Sequence, residues 1–150
     1  MSERIRHLLW LSAHGRLMTN EERARRHLTA FPGCAVCGGP VESLIHVLRD
    51  CPKAKTVWLV LINPPYASEK EFFSRQPFDW LEAGLKGLFE IMRGLAGDIS
   101  FAVTLWWMWR WRNGRIFGTD FKVDDIKVFL RKQAKEYTEA VHKHWVWFSA

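Results

Sequence analysis

The sequence predicts a mainly α-helical protein, in which a small metal module with flanking helices precedes a tryptophan-rich helical segment. Three observations lead there. Apolar residues recur at i, i+3 and i+4 in one stretch after another, and no convincing strand alternation interrupts them. All three cysteines fall within 18 residues, Cys34, Cys37 and Cys51, with His46 between them. Nine tryptophans in 150 residues require either an aromatic-rich core or an aromatic surface offered to a partner.

The elements follow in order. Residues 3–14 place Ile5, Leu8, Leu9 and Ser12 on one helical stripe, with Arg4 and His7 elsewhere, and Gly15 supplies a stop. Thr19, followed three residues later by Glu22, forms a capping box. It opens a short helix from Asn20 to about Leu28 that carries Arg23, Arg25 and Arg26, with His27 behind them. Phe31-Pro32-Gly33 breaks that helix and delivers Cys34. Val41, Leu44, Ile45 and Leu48 make one helical face, which puts His46 on a short helix. Pro52 suits the first position of the next helix, where its missing N–H costs nothing. That helix carries Val57, Trp58, Val60, Leu61 and Ile62 and ends before Asn63-Pro64-Pro65, with Trp58 read as core.

Residues 63–78 hold three prolines and mixed charge and read as a linker with one helical turn around Glu69 to Phe73. Asp79 caps a helix over Trp80 to Leu95, with Leu81, Leu85, Leu88, Phe89 and Met92 inward and with Gly84 and Gly87 weakening it. Asp98 opens an aromatic helix from Ile99 to about Asn113. Asp124 caps a last helix to about Phe148, on which Ile126, Phe129, Leu130, Gln133, Ala134, Tyr137, Val141 and Trp145 share one face. The expected organisation is a metal module with N-terminal helices over 1–62, a linker over 63–78 and a helical segment over 79–150.

The segment from Cys34 to Cys51 has the spacing C-x2-C-x8-H-x4-C. Two thiolates two residues apart grip one ion from a tight turn, and Gly38-Gly39 free the backbone to complete it. Three sulfurs and one imidazole fill a tetrahedral Zn2+ shell and leave no position for water, so Cys34, Cys37, His46 and Cys51 are the expected ligands of a structural site. A redox C-x-x-C pair is the rival reading, and the lack of a surrounding βαβ pattern speaks against it. No Ser-His-Asp pattern, Gly-rich phosphate loop or pair of carboxylates in apolar surroundings occurs, so the sequence gives no ground for an enzyme.

Lys and Arg number 22 against 16 Asp and Glu, a net charge of +6 that suits a nucleic-acid partner. The N-terminus lacks the apolar core and cleavage site of a secretory signal. The longest apolar run, Ile99 to Trp109, is too short to span a bilayer. With every cysteine assigned to metal, a reducing, intracellular location is expected, nucleus or cytoplasm.

Several residues together resemble a known family. His7-Leu8-Leu9-Trp10, His14-Gly15-Arg16-Leu17, Thr19, Arg23 and Leu28 lead into the cysteine–histidine set, Pro52 and Val57-Trp58. This order is similar to the zinc-binding domain that follows the reverse transcriptase in plant LINE-type (non-LTR) retrotransposons, where the spacer between ligands contains a glutamate. Leu105 to Phe117 resembles an "L-W-x-x-W-x-x-R-N-x-x-I-F" segment that such elements carry between the zinc domain and a ribonuclease H. The resemblance implies a role near RNA or target DNA, in an element or in a cellular protein derived from one. It departs from the family in that no polymerase precedes these residues and no ribonuclease H strand follows residue 117. Asp124-Asp125 lacks the tyrosine of a polymerase Tyr-x-Asp-Asp signature, since Lys122 stands there.

Two functions follow as expectations. One is binding of RNA or single-stranded DNA through Arg23, Arg25, Arg26 and Arg49 beside the metal loop and Arg110, Arg112 and Arg115 on the tryptophan helix, where guanidinium groups meet phosphates and indoles stack on bases. The other is a protein-interaction scaffold in which zinc and tryptophans only build the fold.

Overall fold

The computed structural model describes the backbone of residues 2–62, 67–114 and 123–149, and the side chains of the same residues except 67–68, 123–124 and 141–149. Among these the regular structure is helical throughout: α1 (Glu3–Ala13), α2 (Asn20–Arg25), α3 (Pro52–Leu61), α4 (Ala67–Ser74), α5 (Pro77–Leu85), α6 (Gly97–Gly114) and α7 (Val123–Ser149). A π-helical turn, His46–Asp50, precedes α3.

The local chemistry explains most boundaries. Ser2 caps α1 by accepting the Ile5 N–H, and the chain leaves the helix through Gly15 at φ +63°. Thr19 Oγ1 accepts the Glu22 N–H at 3.3 Å, which is half of the expected capping box. The other half is missing because Glu22 turns its carboxylate to Arg25 and Arg26. That helix stops at Arg25, three residues before the expected end, and His27 takes φ +59°. Pro52 opens α3 and Pro77 opens α5, both in the first turn.

One helix differs clearly from its expectation. The sequence suggests Trp80 to Leu95 as a single helix capped by Asp79, yet α5 begins at Pro77 and ends at Leu85. Gly87 (φ +74°) and Gly94 (φ +81°) adopt left-handed conformations and carry the chain through turns instead. Phe89 and Met92 are still buried, but Leu88 faces solvent. At the last helix, Ile126, Leu130 and Ala134 are buried and Phe129, Gln133 and Tyr137 half-buried, as their spacing implies. The side chains of Asp124, Val141 and Trp145 lie outside the described residues.

Helix α6 is the post around which the rest is built. It packs against α1, α5, α7 and the π-turn, while α3 packs against α7 and the π-turn. Between them sits an aromatic cluster of Trp58, Phe72, Trp80, Phe89 and Phe101. Trp58 lies 5.0 Å from Phe72, 5.8 Å from Trp80 and 5.7 Å from Phe101, centroid to centroid, with mostly tilted or edge-on rings. Its Nε1–H donates to the Leu48 carbonyl at 2.7 Å, so the indole is satisfied as well as buried. Phe72, within the stretch 63–78, is fully buried in this cluster. A Cβ on Gly84 would stand 2.3 Å from the Phe101 ring, so the α5–α6 contact depends on the missing side chain.

Candidate metal centre

Two short stretches assemble the four donors. In the first, Gly38 N–H donates to the Cys34 carbonyl and Cys34 N–H to the Gly39 carbonyl, both at 2.9 Å, which closes a tight turn. Gly38 stands at φ +76°, a conformation that side chains resist. Gly39 serves differently. A Cβ there would stand 3.3 Å from Cys37 Sγ and 3.7 Å from His46 Cε1, so the glycine lets the backbone run against the donors. Its own N–H donates to Cys37 Sγ at 3.4 Å.

In the second stretch, Ser43 Oγ accepts the His46 N–H at 3.1 Å, and the chain winds as the π-turn until Cys51 N–H reaches the His46 carbonyl at 2.7 Å. Residues five apart on an α-helix point about 140° from each other. The wider winding reduces that divergence and brings His46 and Cys51 to the same side.

The donor atoms of Cys34, Cys37, His46 and Cys51 all lie within 4.8 Å of one another, and Cys37 Sγ is 3.3 Å from His46 Nε2. Bonds of about 2.3 Å to sulfur and about 2.0 Å to nitrogen place tetrahedral donors roughly 3.5–3.8 Å apart, so a metal ion fits this set. Cys34 and Cys51 are buried and Cys37 is exposed. Burial raises the Cys34 thiol above its ordinary value and pushes Cys51 up to about 12, with the neighbouring cysteines adding to the rise at Cys51. Ionising these thiols is therefore costly for the protein alone, and a bound cation reverses that cost.

Behind the donors lies a polar knot. Glu42, from the spacer between Cys37 and His46, is 1% exposed. Its carboxylate accepts the Asn20 N–H at 2.8 Å and receives Arg112 of α6 through Nη2 at 2.5 Å and Nε at 3.2 Å. Asn20 in turn accepts from Arg112 Nη2 at 3.2 Å and donates to the Gly33 carbonyl at 2.8 Å. The sequence expectations give neither Glu42 nor the Asn20 side chain a part in the site. The signal available for Glu42 was the glutamate expected in the family's spacer.

Comparison with known proteins agrees with this site. Residues 1–58 match the family described as zinc-binding in reverse transcriptase. A protein of Arabidopsis thaliana named "Putative ribonuclease H protein" is 41% identical over 138 residues, which is 92% of this chain and 22% of that relative. The tryptophan-rich half is thus shared as well, and the chain spans about a fifth of the relative's length. No solved structure matches significantly. Among the described residues, no helix is long and apolar enough to cross a membrane.

The arginines expected to meet nucleic acid are placed very differently from one another. Arg25 and Arg26 are exposed but both bind Glu22, at 2.5 and 2.8 Å, and hold its carboxyl down to about 2. Arg23 donates to Asn20 Oδ1 at 3.4 Å and is partly exposed. Arg49 corrects the expectation: it is buried, because the π-turn points it inward. There its guanidinium donates to the Arg75 carbonyl at 2.8 Å, pairs with Asp50 and lies 5.5 Å from the Trp80 ring centre. Arg112 is a second correction, since the buried Glu42 carboxylate consumes it. Arg110 is exposed, over the Trp107 ring at 5.2 Å. Arg115 lies outside the described residues.

Proposed function

We propose that this chain is a Zn2+-stabilised nucleic-acid-binding module of a retrotransposon-derived protein, acting on RNA or single-stranded DNA and not itself catalytic. The observation that carries the reading is the closed Cys34–Cys37–His46–Cys51 donor set within a reverse-transcriptase zinc-binding segment. Zinc held by four protein donors supplies folding energy and offers no open position for chemistry. What the module contributes is a rigid surface, and the net charge of +6 favours a polyanion. Use of all three thiols for metal suits a reducing compartment, nucleus or cytoplasm.

A second reading, a protein-docking scaffold, is favoured by Leu28 and Phe31, which stand 60% and 80% exposed beside the metal loop. Titration of zinc-loaded protein with labelled single-stranded RNA, single-stranded DNA and duplex DNA at two salt concentrations separates the readings. Nucleic-acid binding predicts a log affinity that falls linearly with log salt concentration. The absence of binding to all three at low salt refutes it and leaves the scaffold reading.

A further inference from the structure

The arginines flanking the metal loop are largely occupied by their own carboxylates, yet another surface carries unpaired charge. On α1 the buried residues Ile5, Leu8 and Ser12 define the inward face. Directly opposite, at i, i+3 and i+4 spacing, stand Arg6, His7 and Trp10, with His14 at the helix end, all exposed. Arg16 follows in the next turn. Among the described residues no carboxylate lies within ion-pair distance of Arg6 or Arg16; Glu3, one turn before Arg6 and His7, makes no ion pair with them.

The aromatic groups on this surface are open and held in place. Trp10 is 47% exposed and stacks on His14, with ring centres 4.2 Å apart and planes 24° apart. His14 is itself fixed through Nδ1, 2.8 Å from the Trp10 carbonyl. The Arg16 guanidinium carbon lies 5.8 Å from the indole centre. Beyond Gly15, whose φ of +63° turns the chain, the 56% exposed Phe78 of α5 approaches within 3.8 Å of where a Gly15 Cβ would stand.

The geometry points to this outward stripe of α1, with the turn after it, as the track on which a single-stranded polynucleotide lies. An unpaired base extends the Trp10–His14 stack, a neighbouring base meets Phe78, and Arg6 and Arg16 take the adjoining phosphates. The inference rests on the nucleic-acid reading above and gives it a location. Charge complementarity selects the occupant: cations without a carboxylate partner alternate with exposed rings, which is the arrangement that stacks bases and follows a backbone. A duplex hides its base faces, so only an unpaired strand uses both features.

The test is fluorescence anisotropy with a labelled single-stranded RNA of about 16 nucleotides, on zinc-loaded full chain at several salt concentrations. Trp10→Leu, which keeps the apolar contact and removes the π-face, is expected to lose about 10-fold in affinity with an unchanged salt slope. Arg6→Gln/Arg16→Gln is expected to weaken binding and reduce the log–log salt slope by about 1.4. Trp10→Phe restores most of the affinity, and Arg25→Gln/Arg26→Gln changes the slope less than the α1 pair does. Zinc content and circular dichroism verify folding; should Trp10→Leu fail to fold, the exposed arginine pair decides. If wild-type protein binds and the α1 arginine pair binds as tightly with the same slope, this location is wrong while the nucleic-acid reading stands. If wild-type protein does not bind at low salt, both fall.

Discussion

Replacing Arg112 by methionine tests how firmly the metal-bearing half is tied to α6. The substitution keeps an unbranched apolar stem and removes the guanidinium with its charge and donors. Glu42 would be left 1% exposed with the Asn20 N–H as its remaining described side-chain partner. Removing one partner of a buried ion pair costs about 3–5 kcal/mol. Arg112 is itself 18% exposed, so water can reach part of the gap, and we expect the lower end, about 3 kcal/mol. For a chain of this size that lowers the melting temperature by about 6–12 °C. The assay is urea and thermal unfolding of zinc-loaded protein, followed by circular dichroism and tryptophan fluorescence. Adding Glu42→Gln to Arg112→Met removes the stranded charge and should recover at least about 1 kcal/mol, because an amide is cheaper to bury than an unpaired carboxylate. An Arg112→Met protein as stable as wild type, or a double variant less stable than the single one, would refute the reasoning.

Three further outcomes are expected. Protein purified without chelator should carry one Zn2+ per chain, and Cys34→Ser should lose it and loosen the Cys34–Cys51 region, as read by metal analysis and hydrogen exchange. Gly84→Ala should destabilise by about 2 kcal/mol or more, since its methyl group collides with the Phe101 ring and α5 and α6 must separate; denaturant midpoints measure this. Glu22, held to about 2 by Arg25 and Arg26, contributes stability that is complete above its ordinary 4.5 and lost as pH falls from there toward 2. Glu22→Gln should flatten that part of the pH–stability curve, by up to about 1 kcal/mol because both arginines are solvent-exposed.

Much of this was legible in the sequence. The metal donors were readable because three cysteines and one histidine at short spacing leave few alternatives, and the helices α1, α3 and α7 because their apolar periodicity is unbroken. What could not be read depends on contacts between distant residues. Arg49 sits one residue from Asp50 and looks like surface charge, yet the π-winding of His46–Asp50 turns it inward, and nothing in local propensity announces i→i+5 bonding. Arg112 and Glu42 are 70 positions apart, and neither is unusual alone. Gly84 and Gly87 were visible as weak points between Trp80 and Leu95, but that the chain turns at Gly87 and again at Gly94 is a decision of the tertiary core. The basic cluster Arg23, Arg25 and Arg26 was conspicuous as composition, whereas the pairing of Arg25 and Arg26 with Glu22, which leaves Arg23 on the Asn20 amide, depends on how the helix folds.

The position of Trp58 bears on how such a segment can travel between proteins. It is the last residue of the family match, and it is also the ring that Phe72, Trp80 and Phe101 surround. A cassette cut at that point and grafted elsewhere would arrive with a bare indole and its cysteine–histidine loop intact. Such a transplant would keep its metal grip while offering a sticky apolar face to any host. A recipient scaffold would have to bring aromatic rings of its own, or carry along the stretch through α6, for the graft to remain dispersed.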